Sequence, residues 1–367
     1  MRQKKIQLIV VLLSFIGFSY AQKTIEVINQ YPFDRENEMV EIAASEFSSP
    51  LNINFALVDE DKNEVPYQLI YNGKKSVQSI IFPVNIKTGS KNTYTFVRGK
   101  ATPQQAATAA FQNEEKHNFV WENDIAAYKV SGATDADANA NNGISLLVKN
   151  TAELSLEALN NSNEGGAKGK IMDCYEVGNS LGAGGISPIV NGELVIGKAY
   201  EKLKIMDNGP LRTSFALGYL NVDINGKQYQ QKVIISIDAG SVMNKAVVSL
   251  EGEKQEIQLA AGLFLHKGKG SLQKAAGLII YGEDAVCQNE QNETIKTFAG
   301  IITPEDSEYK IQKMHALLIS NYTVGEKLVY YFGGAGQQQF ATQKDWLTAV
   351  QDFNKKLKYP LTVRVLD

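Results

Sequence analysis

Cysteine, histidine and proline are all scarce in this chain of 367 residues, which has 2, 3 and 9 of them respectively. Only Cys174 and Cys287 are available, so the sequence excludes a disulfide-rich scaffold and a cysteine-rich metal site. In an oxidising compartment the two could pair, although pairing is the less expected outcome because so long a chain does not depend on one disulfide. The three histidines are widely separated, and the sequence therefore predicts neither a metal nor another cofactor.

Several catalytic motifs are missing as well. There is no HExxH, CxxC or GxSxG motif, and neither Gly169-Lys170 nor Gly268-Lys269 completes a phosphate-binding loop. These absences argue against a zinc protease, a redox protein and an ordinary serine hydrolase. A formal net charge of −3 favours neither nucleic acid nor acidic lipid as a partner. The acidic segment 133–143 has the wrong glycine position for a calcium loop and no terminal glutamate, so we expect a solvated loop.

A long apolar run occurs only at the start of the chain. Arg2, Lys4 and Lys5 precede the apolar run Ile6–Phe18, and Ser19–Ala21 is a small-residue cleavage site. The pattern predicts a signal peptide over the first 21 residues and a periplasmic or secreted protein. The run is too short to indicate a membrane span, and no cysteine follows the cleavage point to carry a lipid.

The rest of the sequence alternates between apolar and polar residues, as β-strands do. Short strands over residues 22–100 predict a small β-sandwich, and the polar, alanine-rich segment 101–115 predicts a linker. Longer strands over residues 116–367 predict a large sandwich of antiparallel sheets. Thr342–Lys355 has its apolar residues at helical spacing and is predicted to be a helix. We therefore expect an all-β fold with one helix near its end.

The stretch Asp173–Pro188, DCYEVGNSLGAGGISP, combines polar side chains with glycines. It places Tyr175, Asn179 and Ser180 beside a backbone that is free to turn tightly. Such a loop on long strands is a common carrier of a binding site. Tyr175 could transfer a proton in a sugar site, or it could be a core tyrosine.

The tetrapeptide WEND, Trp121 to Asp124, is the densest aromatic and acidic cluster on a predicted strand. Trp121 and Asn123 share one side of the strand, and Glu122 and Asp124 share the other. The carboxylates could perform acid–base chemistry on a sugar that stacks on Trp121. The alternative is that these residues cap the end of a strand and bind backbone.

Asn225-Gly226 predicts a type I′ hairpin turn. A two-residue loop pairs Tyr219 with Lys232 and places Lys232 and Asp238 on one face of the hairpin. Arg212 then falls on the opposite face, unless a bulge just before it returns it to the first. Arg212 could clamp a carboxylate or form a structural salt bridge.

His266 follows an apolar strand and could be an acid or a base there, because its ordinary pKa is close to neutral. A structural role is the alternative for His266 and the expected one for His117 and His315.

Together, several of these segments resemble a secreted bacterial family named only as a domain of unknown function. The residues that carry the resemblance are 31–42, 119–130, 173–188, 207–217, 236–245 and 260–268. The resemblance extends over nearly all of the mature chain and implies a galactose-mutarotase-like supersandwich. It also implies proteins encoded beside polysaccharide-degrading enzymes, including a dehydratase that acts on ulvan-type lyase products.

The chain departs from the family's pattern in two places. WEND is usually followed by arginine, where this chain has Ile125, and a histidine is common before the DCY stretch, where residues 161–170 have none. If those residues carry the chemistry, this member differs in substrate or is weaker.

These observations lead to one main hypothesis and two alternatives. The main hypothesis is a lyase or dehydratase that acts by β-elimination on uronic-acid-containing oligosaccharides. Arg212 or Asn179 would neutralise the uronate carboxylate, and Tyr175 and His266 would exchange protons with the sugar. The expected substrate-binding residues are Trp121, Glu122, Asn123, Asp124, Asn179, Ser180 and Lys232.

The first alternative is a glycoside hydrolase that uses Glu122 or Asp124, and the second is a glycan-binding protein without catalysis. The sequence leaves open the sugar, the linkage and the oligomeric state.

Overall fold

The computed structural model describes residues 23–48, 51, 54–113, 117–134, 140–155, 170–266, 270–287 and 293–366. Neighbouring strands within its sheets are antiparallel, which confirms the predicted all-β class. Among the described helices, none has the length and apolar character needed to cross a membrane. The predicted signal peptide lies outside the described residues and stays a prediction.

Strands are numbered here in chain order, and the one α-helix among the described residues is α1. The strands are β1 (Thr24–Ile28), β2 (Arg35–Ala43), β3 (Phe55–Val58), β4 (Glu64–Val65), β5 (Gln68–Ile70), β6 (Ser79–Ile86), β7 (Lys91–Arg98), β8 (Thr108–Asn113), β9 (Asn118–Asn123), β10 (Ala126–Ser131), β11 (Ser145–Lys149), β12 (Ile171–Tyr175), β13 (Ala183–Val190), β14 (Glu193–Leu194), β15 (Lys202–Asn208), β16 (Arg212–Ile224), β17 (Lys227–Asp238), β18 (Asn244–Glu251), β19 (Glu256–Phe264), β20 (Gly270–Ala275), β21 (Leu278–Val286), β22 (Thr294–Ile302), β23 (Glu308–Gln312), β24 (His315–Thr323), β25 (Leu328–Gly336) and β26 (Thr362–Leu366). Helix α1 spans Gln343–Lys358, and a short 3₁₀ turn spans Ala44–Glu46.

These strands form two sandwiches. The small sandwich packs a five-stranded sheet, β26-β1-β7-β3-β4, on a three-stranded sheet, β2-β6-β5. The large sandwich sets an eight-stranded sheet, β15-β16-β17-β18-β25-β22-β21-β20, against two five-stranded sheets. We call the latter the β8–β12 sheet (β12-β11-β10-β9-β8) and the β13–β24 sheet (β14-β13-β19-β24-β23).

The core of the large sandwich lies between the eight-stranded sheet and the two smaller sheets. Because side chains alternate along a strand, every second residue of β17 enters this core, as Val233, Ile235 and Ile237 do. Lys232 and Ser236 occupy the alternate positions on the outer face of the same sheet. The eight-stranded sheet therefore has an apolar inner face and an outer face that is partly polar.

Two strand pairings were not expected from the predicted division of the chain. Part of the predicted linker is strand β8, which pairs with β9 from Thr108↔Asn123 to Asn113↔Asn118. The last strand, β26, pairs with the first, with Thr24 opposite Leu366. The sequence carried no sign of this pairing, because alternation within a strand does not indicate a distant partner. The domain division otherwise stays a prediction.

Helix α1 confirms the predicted helix and extends it to Lys358. Thr342 and Asp345 form a capping box, in which each side chain accepts a hydrogen bond from the other residue's backbone N–H. Trp346 and Val350 are fully buried against the outer face of the eight-stranded sheet. The helix thus covers one part of that face.

The β16–β17 hairpin has the predicted turn but a different register further along. Ile224 lies opposite Lys227 as expected, whereas Tyr219 lies opposite Gln231 rather than Lys232. The cause is a bulge between Tyr219 and Val222, not one next to Arg212. One extra residue on β16 moves Arg212 opposite Asp238 on the outer face, so the predicted division of faces was wrong.

The glycines after Tyr175 allow close packing inside the sandwich. Gly182 has φ +60°, and a Cβ there would lie 2.2 Å from the carbonyl oxygen of Ile144. Gly184 has φ +131°, and a Cβ there would lie 2.5 Å from Cβ of Phe332 on β25. These glycines let β13 approach its neighbours, and their surroundings are protein rather than an open cleft.

Arg212 joins the two sandwiches through charges. Its guanidinium binds both carboxylate oxygens of Asp238 and one oxygen of Glu41 on β2. Ser79 donates a further hydrogen bond of 2.6 Å to Glu41. Burial alone would raise the pKa of Glu41, but Arg212 and Ser79 outweigh it and hold that pKa below its usual 4.5.

This lowered pKa predicts a pH dependence of stability. A carboxyl whose pKa is depressed by folding stabilises the protein above its unfolded-state pKa, and the contribution disappears as the pH falls through the folded value. Glu41→Gln should lower the free energy of unfolding at pH 7, by less than about 1 kcal/mol because the carboxylate is partly exposed. Urea titrations at pH 7 and pH 3.5 should show this deficit shrinking in acid. The exposed Glu46→Gln is the matched control, and an equal deficit at both pH values would contradict the prediction.

Candidate active site

His266 lies at the centre of a partly buried polar cluster at one end of the large sandwich. Its Nδ1 is 2.7 Å from Oε1 of Glu283, and its Nε2 is 2.8 Å from the backbone oxygen of Glu176. Tyr281 donates a 2.8 Å hydrogen bond to the other oxygen of Glu283. The ring of Tyr175 meets the imidazole edge-on, with centroids 4.9 Å apart. We call these four side chains, Tyr175, His266, Tyr281 and Glu283, the His266 cluster.

The hydrogen-bond partner of Nε2 fixes the proton on that side of His266. A backbone carbonyl only accepts, so Nε2 carries the hydrogen that faces Glu176. Nδ1 lies at ion-pair distance from the buried carboxylate of Glu283, which favours a positive charge on the ring. Nε2 is therefore a proton donor.

The side chains of the His266 cluster differ in how much of their surface is exposed, and this difference indicates their roles. Only 1% of the Glu283 side chain is exposed, against 12% of His266. Tyr175 is fully buried, and its hydroxyl donates to the backbone oxygen of Phe264. Burial first, then the nearby charge of Glu283, raises the pKa of Tyr175 well above its ordinary value. His266 is thus the member of the cluster that a ligand can reach, and Tyr175 is a neutral phenol behind it.

Three strands bring this cluster together. Tyr175 ends β12, His266 follows the end of β19, and Glu283 lies on β21. Tyr281 and Glu283 are two residues apart and so lie on the same, inner face of β21. A disulfide between Cys174 and Cys287 joins the residue before Tyr175 to the end of β21. The sequence had favoured unpaired cysteines.

Removing this disulfide should weaken both the fold and the site. The bridge closes a loop with a sequence separation of 113 residues, which restricts the unfolded chain strongly. Cys174→Ala with Cys287→Ala should lower the free energy of unfolding by roughly 2–4 kcal/mol in urea titrations. Unchanged stability under non-reducing conditions, with the bond verified by mass in the parent protein, would contradict this.

Trp121 and Asn123 are sealed inside the protein and cannot meet a sugar. Trp121 has no exposed surface, stacks on Tyr128 at 5.4 Å and donates a 2.8 Å hydrogen bond to Asn244. Asn123 donates to the backbone oxygens of Asp238 and Ser241 and accepts two backbone hydrogen bonds at the β9–β10 turn. The expected stacking role of Trp121 is therefore corrected, since both faces of β9 are buried.

The two acids of WEND also have structural partners. Glu122 is 1% exposed, pairs with the fully buried ammonium of Lys149 and accepts a 2.8 Å hydrogen bond from the backbone of Ser155. Asp124 accepts a 2.7 Å hydrogen bond from the backbone of Gly240. The alternative in which these residues cap a strand end and bind backbone agrees with this geometry.

Arg212 lies at the opposite edge of the β8–β12 sheet from the His266 cluster. One row of directly paired residues crosses this sheet, in the order Tyr175, Leu146, Tyr128, Trp121 and Ala110. Four strand spacings separate its ends by roughly 19 Å. Arg212 lies beyond the Ala110 end, where its neighbour Thr213 contacts Thr108 of β8. Arg212 therefore does not share a site with Tyr175 and His266.

The remaining predicted residues are also dispersed. Ser180 is buried and donates to the backbone of Val177, so it is not available to a substrate. Lys232 is exposed on the outer face of β17 and has no hydrogen bond or ion pair with another described residue. Asn179 is exposed in the segment after Tyr175, and its side chain has no hydrogen bond to another described residue. Of the residues that the sequence predicted to bind substrate, only Asn179 is still a candidate contact for a ligand at His266.

The other two histidines and the acidic segment 133–143 are the remaining candidates for metal ligands. His315 accepts a hydrogen bond from the backbone of Leu181, and burial lowers its pKa, so it is a neutral structural residue. His117 is exposed in a turn. Residues 135–139 of the acidic segment 133–143 lie outside the described residues. Within the described part of the chain, no three His, Cys, Asp or Glu side chains are grouped as metal ligands.

The comparison with known families fits this fold. Residues 27–363 match the family described as Domain of unknown function (DUF4861). The chain belongs to this DUF4861 family. It is also 31% identical over 202 residues to "Uncharacterized protein P7" of Formosa agariphila. That match covers 54% of this chain and 50% of P7, so it extends over about half of each protein.

Solved structures share the fold of this DUF4861 protein. A protein in the glycosyl hydrolase family 38 from Enterococcus faecalis has a TM-score of 0.53 at 9% identity, over 95% of this chain and 48% of its own. An α-mannosidase from E. faecalis V583 has a TM-score of 0.51 at 8% identity, over 94% and 46%. At such identities the likeness concerns the fold alone.

Proposed function

We propose that this protein is a secreted carbohydrate-active enzyme that performs β-elimination on uronic-acid-containing oligosaccharides, as a lyase or a dehydratase. The observation that carries the proposal is the imidazole of His266, which is backed by a buried carboxylate and still reachable from outside. The fold it shares with two glycoside-processing proteins supports a sugar as the substrate. An ulvan-type substrate, expected from the sequence, is part of this proposal.

The elimination has a simple balance of atoms. A base takes the proton at C5 of the uronate, and that electron pair forms the C4–C5 double bond. The C4–O bond breaks, and the departing oxygen takes a proton from an acid, leaving as water in a dehydratase or as a sugar hydroxyl in a lyase. The uronate carboxylate must be neutralised so that the C5 proton becomes acidic.

In this proposal His266 is the acid. A substrate oxygen that replaces the Glu176 carbonyl at Nε2 would receive the proton already facing that position. Glu283 keeps the imidazole oriented and stabilises its positive charge until the proton is transferred. Glu176 and Asn179 are exposed, and the backbone oxygen of Glu176 lies 2.8 Å from Nε2 of His266. We assign the C5 proton to Glu176 and a hydrogen bond with the uronate carboxylate to Asn179.

Glycoside hydrolysis by Glu122 or Asp124 has less support, because those carboxylates are occupied by Lys149, Ser155 and Gly240. Binding without turnover is the other alternative. A panel of lyase-generated and saturated uronate oligosaccharides, incubated with the purified protein and weighed by mass spectrometry, distinguishes all three. Loss of one water or new cleavage with ultraviolet absorbance supports elimination. Gain of one water marks hydrolysis, and no change in mass despite measurable affinity marks binding; either result overturns the proposal.

A further inference from the structure

We infer that the protein has a second carbohydrate site, a pocket for a neutral sugar residue between the two sandwiches and helix α1. A cavity of about 350 Å³ opens there, at the lower end of the range for small-molecule pockets. Its floor is the outer face of the eight-stranded sheet. Its other walls are β2 of the small sandwich and the last turns of α1. Pockets of this kind favour boundaries between packed units.

The floor is an ordered row of side chains. Ser236, Lys245 and Tyr331 lie directly opposite one another on β17, β18 and β25. Asp238 is two residues from Ser236 and so shares the face, and Arg212 lies opposite Asp238. A hydroxyl, an ammonium, a phenol ring and an ion pair thus line one surface at the regular spacing of a sheet.

The wall opposite this floor adds acid and apolar surface. Glu41 and Met39 come from β2, and Phe353 comes from α1. Phe353 packs edge-on against Tyr331, with ring centroids 5.4 Å apart. Aromatic and aliphatic groups on one side with convergent polar groups on the other suit a pyranose ring, whose faces are apolar and whose rim bears hydroxyls.

The charged side chains that line the pocket favour a neutral ligand over an acidic one. Three carboxylates, from Glu38, Glu41 and Asp238, and three cations, from Arg212, Lys245 and Lys356, line the pocket, so their formal charges cancel. Two of these carboxylates, from Glu41 and Asp238, already hold Arg212, so an acidic ligand would have to displace one of them. The third, from Glu38, is paired with Arg35. A hydroxyl, by contrast, can donate to these carboxylates and accept from nitrogen at the same time.

Two groups on the floor are available for that purpose. Within the described residues, the hydroxyl of Ser236 and the ammonium of Lys245 have no hydrogen bond or close ion pair, although the charge of Lys245 also helps to lower the pKa of Glu41. The rim beside them, Asp238–Ser241, is held by Asn123 and Asp124 of the WEND segment. The WEND segment therefore supports the rim of the pocket and does not line the pocket itself.

The pocket is separate from the His266 cluster. Tyr331 lies on the outer face of the eight-stranded sheet and Glu283 on its inner face. Five residues along β25 and two strand spacings separate them in the plane of the sheet, which amounts to about 20 Å. A sugar bound here would be recognised, not processed, and the proposal holds whether or not His266 is catalytic.

Ligand-observed NMR and calorimetry test this with defined probes. The probes are methyl glycosides of neutral hexoses, 6-deoxyhexoses and pentoses, with the matching uronates. We expect at least one neutral glycoside to bind at millimolar concentration and more tightly than its uronate. Lys245→Met and Ser236→Ala should each weaken that binding, the first by about ten-fold because a charged hydrogen bond is lost. Lys254→Met, an exposed lysine in a distant turn, is the matched control.

Two results would overturn the inference. One is the absence of binding by every neutral glycoside, and the other is binding that Lys245→Met and Ser236→Ala leave unchanged. Since both side chains are partly or fully exposed, the variants should fold, and circular dichroism checks this. Repeating the titration with His266→Gln distinguishes the two sites, because binding in the pocket should survive a change that removes turnover.

Discussion

Replacing His266 with alanine should reduce kcat/KM on a uronate oligosaccharide by about 10²- to 10⁴-fold, the usual contribution of a positioned acid. The reason is geometric: His266 is the only member of its cluster with appreciable exposure, and its Nε2 carries the hydrogen that the backbone carbonyl of Glu176 accepts. Glu283→Gln should also lower kcat and should shift the pH profile, because a neutral amide no longer stabilises the imidazolium. Initial rates across a pH series, followed by product mass, measure both effects.

Two variants serve as controls for this result. Tyr175→Phe removes only a buried hydroxyl bound to Phe264, so it should cost about 1 kcal/mol of stability and change activity by a few-fold at most. His117→Asn changes an exposed histidine at φ +48°, a conformation that asparagine tolerates well. Full activity in His266→Ala, or its loss in Tyr175→Phe with the fold intact, would remove His266 from the acid role.

Lys149→Met should lower the free energy of unfolding by roughly 3–5 kcal/mol. Lys149 is fully buried, and its ammonium binds Glu122 and the backbone oxygen of Asn123 at 2.7 Å. Taking away the cation leaves a carboxylate in a site that is 1% exposed, with its charge uncompensated. Equilibrium unfolding in guanidinium chloride, followed by tryptophan fluorescence, measures the loss.

A double variant separates lost charge pairing from lost packing. Glu122→Gln keeps the acceptor for the Ser155 backbone and removes the charge, so adding it to Lys149→Met should recover part of the stability. Lys129→Met breaks the partly exposed pair that β10 makes with Asp173 of β12 across β11, and should cost less than about 1 kcal/mol. Additive losses in the double variant would contradict the charge explanation.

The local sequence pattern predicted the fold class, but it predicted little of the pairing between strands. Alternation and turn residues indicated strands, and the spacing of Trp346 and Val350 indicated the helix. The pairing of Thr24 with Leu366 depends on residues at the two ends of the chain, which no local pattern connects. The bulge near Asn221 shifted the face of Arg212, because one inserted residue reverses the orientation of everything beyond it.

Only part of the candidate site could be predicted from the sequence, again because local patterns do not show which distant segments meet. Tyr175 and His266 were chosen separately and do lie together. Glu283 was missed because YGED has no motif, although its spacing from Tyr281 on an apolar strand placed both on the core face. The signal that could have identified Glu283 was an acidic residue on the core-facing side of a predicted strand. WEND was interpreted as a binding motif because polar and aromatic residues are common to glycan sites and to buried hydrogen-bond networks.

The most direct test of the central claim follows the hydrogen at C5. A uronate oligosaccharide carrying deuterium at that carbon is incubated with the protein in ordinary water, and the products are weighed. The proposed elimination predicts that every product molecule has lost its deuterium, and that His266→Ala yields almost no product. Products that retain the deuterium, or that have gained a water, would contradict the claim.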